Sequence, residues 1–371
     1  MRIIAMVGAL FFISWGVCFG QSSGAEYLII TADAFYSDIL PLAEWKHKKG
    51  MRTKVVKLSE TGSFQTQIRD YIYNAYMNWT IKPEYLLLVG APNYIPYPVI
   101  GTVYTDNYYT NLTGDLHNEI LSGRFTVHSS TECQTVVNKV LMYERTPDTT
   151  TTAWFGRGCL IANLDYDPDD TIYLNDVKYY ADLMVADGYT RVDTLSDSYG
   201  HNYNNVYAAV NEGRMFLLYR GTGTNNWYSP FDCNPALTTN GKKMPIVLSI
   251  TCNTIGRSST AAAAERWFLT GTPIYPRGGA GYFATTTSIS NGAYLRSAVA
   301  RGFADGVFVY RKRTFGEACE SGRARVYQQY YSATEYYGFN TIGDPEMTLL
   351  TASPRAWTGT HEPSLIIGED T

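Results

Sequence analysis

Three observations predict an α/β fold with a mostly parallel central sheet and helices on its faces. Short runs such as residues 27–30, 85–89, 216–219 and 246–250 are apolar throughout rather than alternating, the pattern of strands buried on both faces. Amphipathic segments of helical period separate them. The same order of elements then returns in a second half, so the chain reads as two similar α/β subdomains, 25–150 and 151–352, followed by a polar tail, 353–371.

In the first half, strand 27–30 leads to a helical stretch through Ile39, Leu40, Ala43 and Trp45, closed by Gly50. Strand 53–56, an amphipathic helix over 64–79 and strand 85–89 complete a βαβαβ order. A Pro- and Tyr-rich stretch, 92–109, precedes a short strand near 120–127 and a helix over 131–145 closed by Pro147. The second half repeats the plan with strand 158–162, helix 170–187, strand 190–195 and helix 204–212. Strands 216–219 and 246–250 come next, then an apolar segment at 280–284 and helices over 293–305 and 315–329. The tail is loop-like and reads as leading toward a further C-terminal domain.

With 371 residues, 45% hydrophobic and 17% charged, the chain is long enough and apolar enough for a substantial core. A net charge of -4 offers no basic field for a polyanion, which argues against nucleic acid as a partner. Arg2, an apolar stretch over 3–15 and small residues near position 20 have the layout of a signal peptide, 1–20. That layout implies a secreted or envelope-associated protein, and no later segment is long enough to span a membrane. Loss of Cys18 with the leader leaves five of the six cysteines, an odd number for an exported chain, so at least one thiol stays free or pairs with another chain. Their spacing does not suit a zinc site.

The strand at 246–250 stops just before Cys252, and the strand at 216–219 stops just before Gly221-Thr222-Gly223. Carboxyl ends of parallel strands are where open α/β sheets hold their chemistry. Around these points run the strings YLIITADAFYSDILPLAEWKHKKGMRTKVV from Tyr27, YLLLVG from Tyr85, TDNYY from Thr105, LSGRFTV from Leu121, VVNKVLMYERTP from Val136 and IGDPEMTLL from Ile342. In order and spacing they resemble the gingipain family of secreted cysteine endopeptidases over residues 27–350. The resemblance implies a caspase-like three-layer α/β sandwich and a protein or peptide substrate. It requires no cofactor, and calcium enters only as a structural ion of the kind some family members bind; Asp106, Asp115 and Glu119 form an oxygen-rich set of that type.

Site residues follow from the same resemblance. Cys252 takes the nucleophile position, against the plainer reading of a small buried hydrophobe. The family's base is the His of a Gly-His-Gly turn followed by Trp. Here YRGTGTNNW keeps Gly221, Gly223 and Trp227 but has Thr222 in the base position. The backbone N–H groups of Gly223 and Cys252 are implied to form the oxyanion hole. Asp165 fits the acid that orients the base, and Asp176, eleven residues on, fits an acid lining the specificity pocket of arginine-cleaving members. The alternative for both is a solvated acidic run before a helix, with Asp167, Asp169 and Asp170. Trp227 is implied to meet substrate. The aromatic wall of that pocket, expected near Asn291, is not evident.

Threonine cannot do the work of imidazole. A free cysteine thiol, with a pKa of about 8.5, is only a few per cent thiolate at neutral pH. An imidazolium lowers that value and returns a proton to the leaving amine. The sequence therefore implies an endopeptidase domain acting through Cys252 but impaired at Thr222. The alternative is a pseudopeptidase serving as a secreted protein-binding or envelope-associated module. A different thiol chemistry, such as acyl transfer, is a third reading and faces the same missing base. Of the five histidines only His201 follows a strand end of the second half, which makes it the one candidate substitute base.

Overall fold

The computed structural model describes residues 24–257 and 262–354; the leader, the tail beyond 354 and His361 lie outside them. Ten strands form one sheet. In chain order these are β1 (Tyr27–Thr31), β2 (Thr53–Lys57), β3 (Tyr85–Val89), β4 (Leu121–Phe125), β5 (Arg157–Ala162), β6 (Arg191–Ser196), β7 (Phe216–Arg220), β8 (Ile246–Ile250), β9 (Gly281–Thr285) and β10 (Phe339–Ile342). Across the sheet the order is β2-β1-β3-β4-β10-β9-β8-β7-β5-β6. Every pairing is parallel except β9 with β10.

The main helices are α1 (Tyr36–Lys48), α2 (Gln65–Asn78), α3 (Ser130–Glu144), α4 (Asp170–Ala186), α5 (Tyr203–Glu212), α6 (Ala263–Leu269), α7 (Ala293–Phe308), α8 (Phe315–Tyr330) and α9 (Ala333–Gly338). Alternate strand residues face opposite helical layers, as the period of two requires. Leu28, Ile30, Leu86 and Leu88 pack with Ile68 and Ile72 of α2, whereas Ile29 and Leu87 join the larger cluster with Ile39 and Leu42 of α1. Strands buried on both faces thus read as unbroken apolar runs.

The two halves share this single sheet. β10 joins them, running parallel to β4 on one side and antiparallel to β9 on the other. Gly123 of β4 is required there, because a Cβ would lie 2.3 Å from the Gly343 carbonyl oxygen. In the second half β5 is flanked by β6 on one side and β7 on the other. Chain order therefore reverses between β5 and β7, and the carboxyl ends at such a reversal are where open α/β sheets hold ligands.

Candidate active site

The residues after β5 and β7 meet at that reversal. Asn163 N–H donates to the Arg220 carbonyl at 2.9 Å, and the chain turns into an exposed loop carrying Asp165. The loop is held from below: the Asp170 carboxylate accepts the Asp165 and Tyr166 amides at 3.0 Å each. Asp165, Asp167 and Asp170 bring carboxylate oxygens within 4.8 Å of one another. Burial, together with the neighbouring carboxylates Asp167 and Asp165, raises the Asp169 carboxyl above its usual range.

After β7 the chain passes Gly221, with φ +145°, so close to Asn163 that a Cβ would sit 2.6 Å from its carbonyl oxygen. Only glycine fits this turn. Thr222 Oγ1 then donates to Asp165 Oδ2 at 2.5 Å. The Thr222 carbonyl accepts from Tyr219 Oη at 2.6 Å, and Tyr219 Oη accepts in turn from Asn163 Nδ2 at 2.9 Å. Gly223 pairs with Trp227 in a short antiparallel hairpin.

Cys252 is fastened beside this turn from both sides. Thr251 Oγ1 donates to the Gly221 carbonyl at 2.6 Å, and Asn225 N–H donates to the Asn253 carbonyl at 2.7 Å. Cys252 is half-buried, unlike the other described cysteines, Cys133, Cys159, Cys233 and Cys319, which are buried and free. Burial pushes the thiols of Cys133, Cys159 and Cys319 up to about 12, which makes them unreactive. Arg296, in the first turn of α7, reaches Cys252 with Nη1 3.0 Å from Sγ. Nothing in the sequence spacing of Arg296 and Cys252 points to this contact.

Asp176 and Trp227 occupy interior positions rather than a surface that a substrate meets. Asp176 has no exposed area, and both its oxygens are taken. Oδ2 accepts from Arg220 Nε at 2.7 Å; Oδ1 accepts from Arg301 Nε at 2.8 Å and from Ser297 Oγ at 2.6 Å. Trp227 is 1% exposed, stacks on Tyr219 at 4.6 Å and donates to Ser249 Oγ at 2.9 Å. It supports the hairpin from beneath.

His201 sits in the loop after the edge strand β6, where its Nδ1 accepts the Ser196 amide at 3.2 Å. β6 lies three strand spacings from β8, roughly 14 Å at the usual interstrand distance, so this ring is not held near Cys252. The three acids suggested for calcium are separately engaged. Asp106 is buried in a bidentate pair with Arg124 at 2.6 and 2.9 Å, Glu119 accepts from Leu112 N and Thr113 Oγ1 at 2.6 Å, and Asp115 accepts from the His117 amide.

An acid, a hydroxyl and a half-buried thiol thus lie just past the carboxyl ends of three neighbouring parallel strands, β5, β7 and β8. The profile of peptidase family C25 matches residues 21–350, and the chain belongs to that family. Gingipain R2 from Porphyromonas gingivalis is 26% identical over 241 residues, covering 62% of this chain and 32% of the relative. Lys-gingipain from the same organism is 26% identical over 215 residues, covering 55% of this chain and 12% of the relative. The chain thus spans a third or less of the length of these curated relatives. Among solved structures, the Arg-specific cysteine proteinase gingipain R superposes with a TM-score of 0.82 at 23% identity, over 91% of this chain and 80% of that one. A complex of its pro- and mature domains gives 0.81 at 22% identity, over 89% and 81%. These likenesses carry the fold. Among the described residues, no helix is long and apolar enough to cross a membrane.

Proposed function

We propose that this chain is an exported gingipain-type cysteine endopeptidase domain, with Cys252 as the attacking group on a protein or peptide substrate and with hydrolysis impaired at Thr222. The observation that carries this reading is the 2.5 Å bond from Thr222 Oγ1 to Asp165 Oδ2. In this reading it takes the place of the acid-to-base hydrogen bond of a cysteine peptidase, with a hydroxyl that neither titrates near neutral pH nor protonates a leaving amine. The leader-like residues 1–20 support export, and thiol chemistry of this kind needs no cofactor.

Restoring the base tests it. Thr222→His should raise peptide hydrolysis by ~10²-fold or more over the unaltered chain, with Cys252→Ala as the blank. No gain would sink the reading. A second reading, a pseudopeptidase that binds protein without turnover, is favoured by one observation: Arg220, Arg301 and Ser297 already occupy the Asp176 carboxylate, leaving no free acid for a basic side chain. Turnover of any peptide by the unaltered chain above the Cys252→Ala blank excludes that alternative.

A further inference from the structure

We propose that Arg296 is a catalytic residue that stabilises negative charge on the Cys252 sulfur, so that the site accepts acyl groups from activated esters and thioesters in preference to amides. The proposal rests on the reading of Cys252 as nucleophile and adds to it a partner and a substrate class.

Arg296 is 5% exposed, so its guanidinium lies almost wholly out of water. Nη1 contacts Sγ at 3.0 Å, while Nε and Nη2 have no hydrogen-bond partner among the described residues. The nearest carboxylate, Glu335, is fully buried and stands off at 3.5 Å from Nε; its other oxygen is taken by Thr287 Oγ1 at 2.6 Å. A buried guanidinium with unsatisfied N–H groups is costly, and a neutral thiol is too weak an acceptor to offset that cost. A thiolate is a strong acceptor, because the bond then joins two opposite charges. The Nη1–Sγ contact therefore strengthens as negative charge gathers on the sulfur during acyl transfer.

Arginine keeps its proton at every accessible pH. Arg296 can supply the charge that an imidazolium would bring to the sulfur, but it cannot hand a proton to a departing amine. This division selects the leaving group. In an activated ester the Cys252 proton goes to solvent, Sγ attacks the carbonyl carbon, and the C–S bond forms. The C–O bond then breaks, and its electron pair leaves on the phenolate, which is stable without a proton. A thioester donor reacts in the same way and expels a thiolate. Water then attacks the acyl-enzyme and gives up one proton to solvent, the C–Sγ bond breaks with its electron pair on sulfur, and the carboxylic acid and the Cys252 thiolate are released. An amide requires the proton that this site lacks.

The test uses the whole chain with two probes, 4-nitrophenyl acetate and iodoacetamide, and reads modification at each cysteine by peptide mass spectrometry at pH 7. The unaltered chain should acetylate at Cys252 at least ~5-fold faster than an unstructured cysteine peptide, with no comparable rate on a peptide anilide. Arg296→Gln should lower iodoacetamide alkylation of Cys252 by about 5- to 10-fold, since loss of the charged bond outweighs the gain in intrinsic nucleophilicity. Arg296→Lys should keep most of the rate. The four buried cysteines report folding, because they stay unlabelled in any variant that remains native. Unchanged Cys252 alkylation in a native Arg296→Gln chain overturns the proposal. If both variants unfold, the unaltered chain decides: acetylation no faster than the peptide control overturns it. Acetylation at Cys252 with no response to Thr222→His would refute the endopeptidase reading and leave this inference standing.

Discussion

Arg220 carries a guanidinium into the interior at the end of an otherwise apolar strand, and it binds three parts of the site together. Nε pairs with Asp176, Nη1 donates to the Ile250 carbonyl at 2.6 Å, and Nη2 donates to the Ala293 carbonyl at 3.0 Å. The end of β8 and the start of α7 are thereby fixed, and with them Cys252 and Arg296. Removing Arg220 leaves Asp176 Oδ2 without its donor while Arg301 still holds Oδ1, and breaking a buried pair typically costs ~3–5 kcal/mol. Arg220→Met should lower stability on that scale, read as a drop in urea midpoint. Arg220→Met combined with Asp176→Asn should recover part of the loss, because the carboxylate oxygen left without a donor is gone. An additive double variant would mean that the pair is not coupled. The sequence held a hint of this arrangement: an arginine closing the run FLLYR needs a buried partner.

At the scale of elements, the strands and long helices were legible because period and length speak for themselves. The strand at 85–89 and the strand at 246–250 fall where the apolar runs place them, and helix boundaries move by a few residues at most. β10 was missed: FNTI is four residues with Asn340 and Thr341 in its middle, and its place in the sheet comes from tertiary pairing rather than from its own pattern. α6 was missed because seven residues after a run of small ones show too little period. The site was half legible. The order of motifs marked the loops that carry Asp165, Thr222 and Cys252, but spacing does not report which charge covers Asp176 or that Arg296, 44 residues from Cys252, turns toward its sulfur. α6 is itself held by Lys139 of α3, whose Nζ donates to the Phe268 carbonyl at 2.6 Å and to the carbonyls of Trp267 and Thr270. Burial pushes the Lys139 ammonium down from 10.5 to about 7. The unfolded chain then binds this proton more tightly, so the Lys139 contribution should be lowest below pH 7 and rise as pH climbs from 7 toward 10.5. Urea midpoints at pH 7 and pH 9 should show a rise in the unaltered chain that Lys139→Met lacks; equal slopes would refute it.

At the scale of the molecule, the two halves are joined by more than the shared sheet. Lys46 of α1 is fully buried and lies 2.7 Å from Glu144 of α3, 2.6 Å from Asp344 and 2.5 Å from Glu346, the last two in the segment following β10. Tyr27 Oη of β1 donates to the second Asp344 oxygen at 2.6 Å. Lys49, at the mouth of the cluster, lies 3.0 Å from Glu144 and 2.9 Å from Glu346. One ammonium thus draws the first helix, the third helix and the C-terminal segment to a point at the end of the sheet opposite the candidate active site. Burial alone would raise the Glu144 carboxyl, but Lys46 and Lys49 hold it below the usual range; burial keeps the Glu346 carboxyl above it despite Lys46. The two carboxyls therefore pull stability in opposite directions with pH. The Glu144 contribution is present above its unfolded pKa and is lost as pH falls through its lowered folded value, whereas the Glu346 contribution is present at low pH and is lost as pH rises. Lys46→Met removes the main reason for Glu144 to stay ionised and leaves three buried carboxylates with Lys49 as their remaining close cation. We expect it to cost ~3–5 kcal/mol at pH 7. Its stability should also recover on moving from pH 7 toward pH 5, since the folded form now gains by taking up protons. Urea titrations of both chains across that range decide the matter: a variant whose deficit stays constant or grows toward pH 5 would show that the cluster is not joined through Lys46.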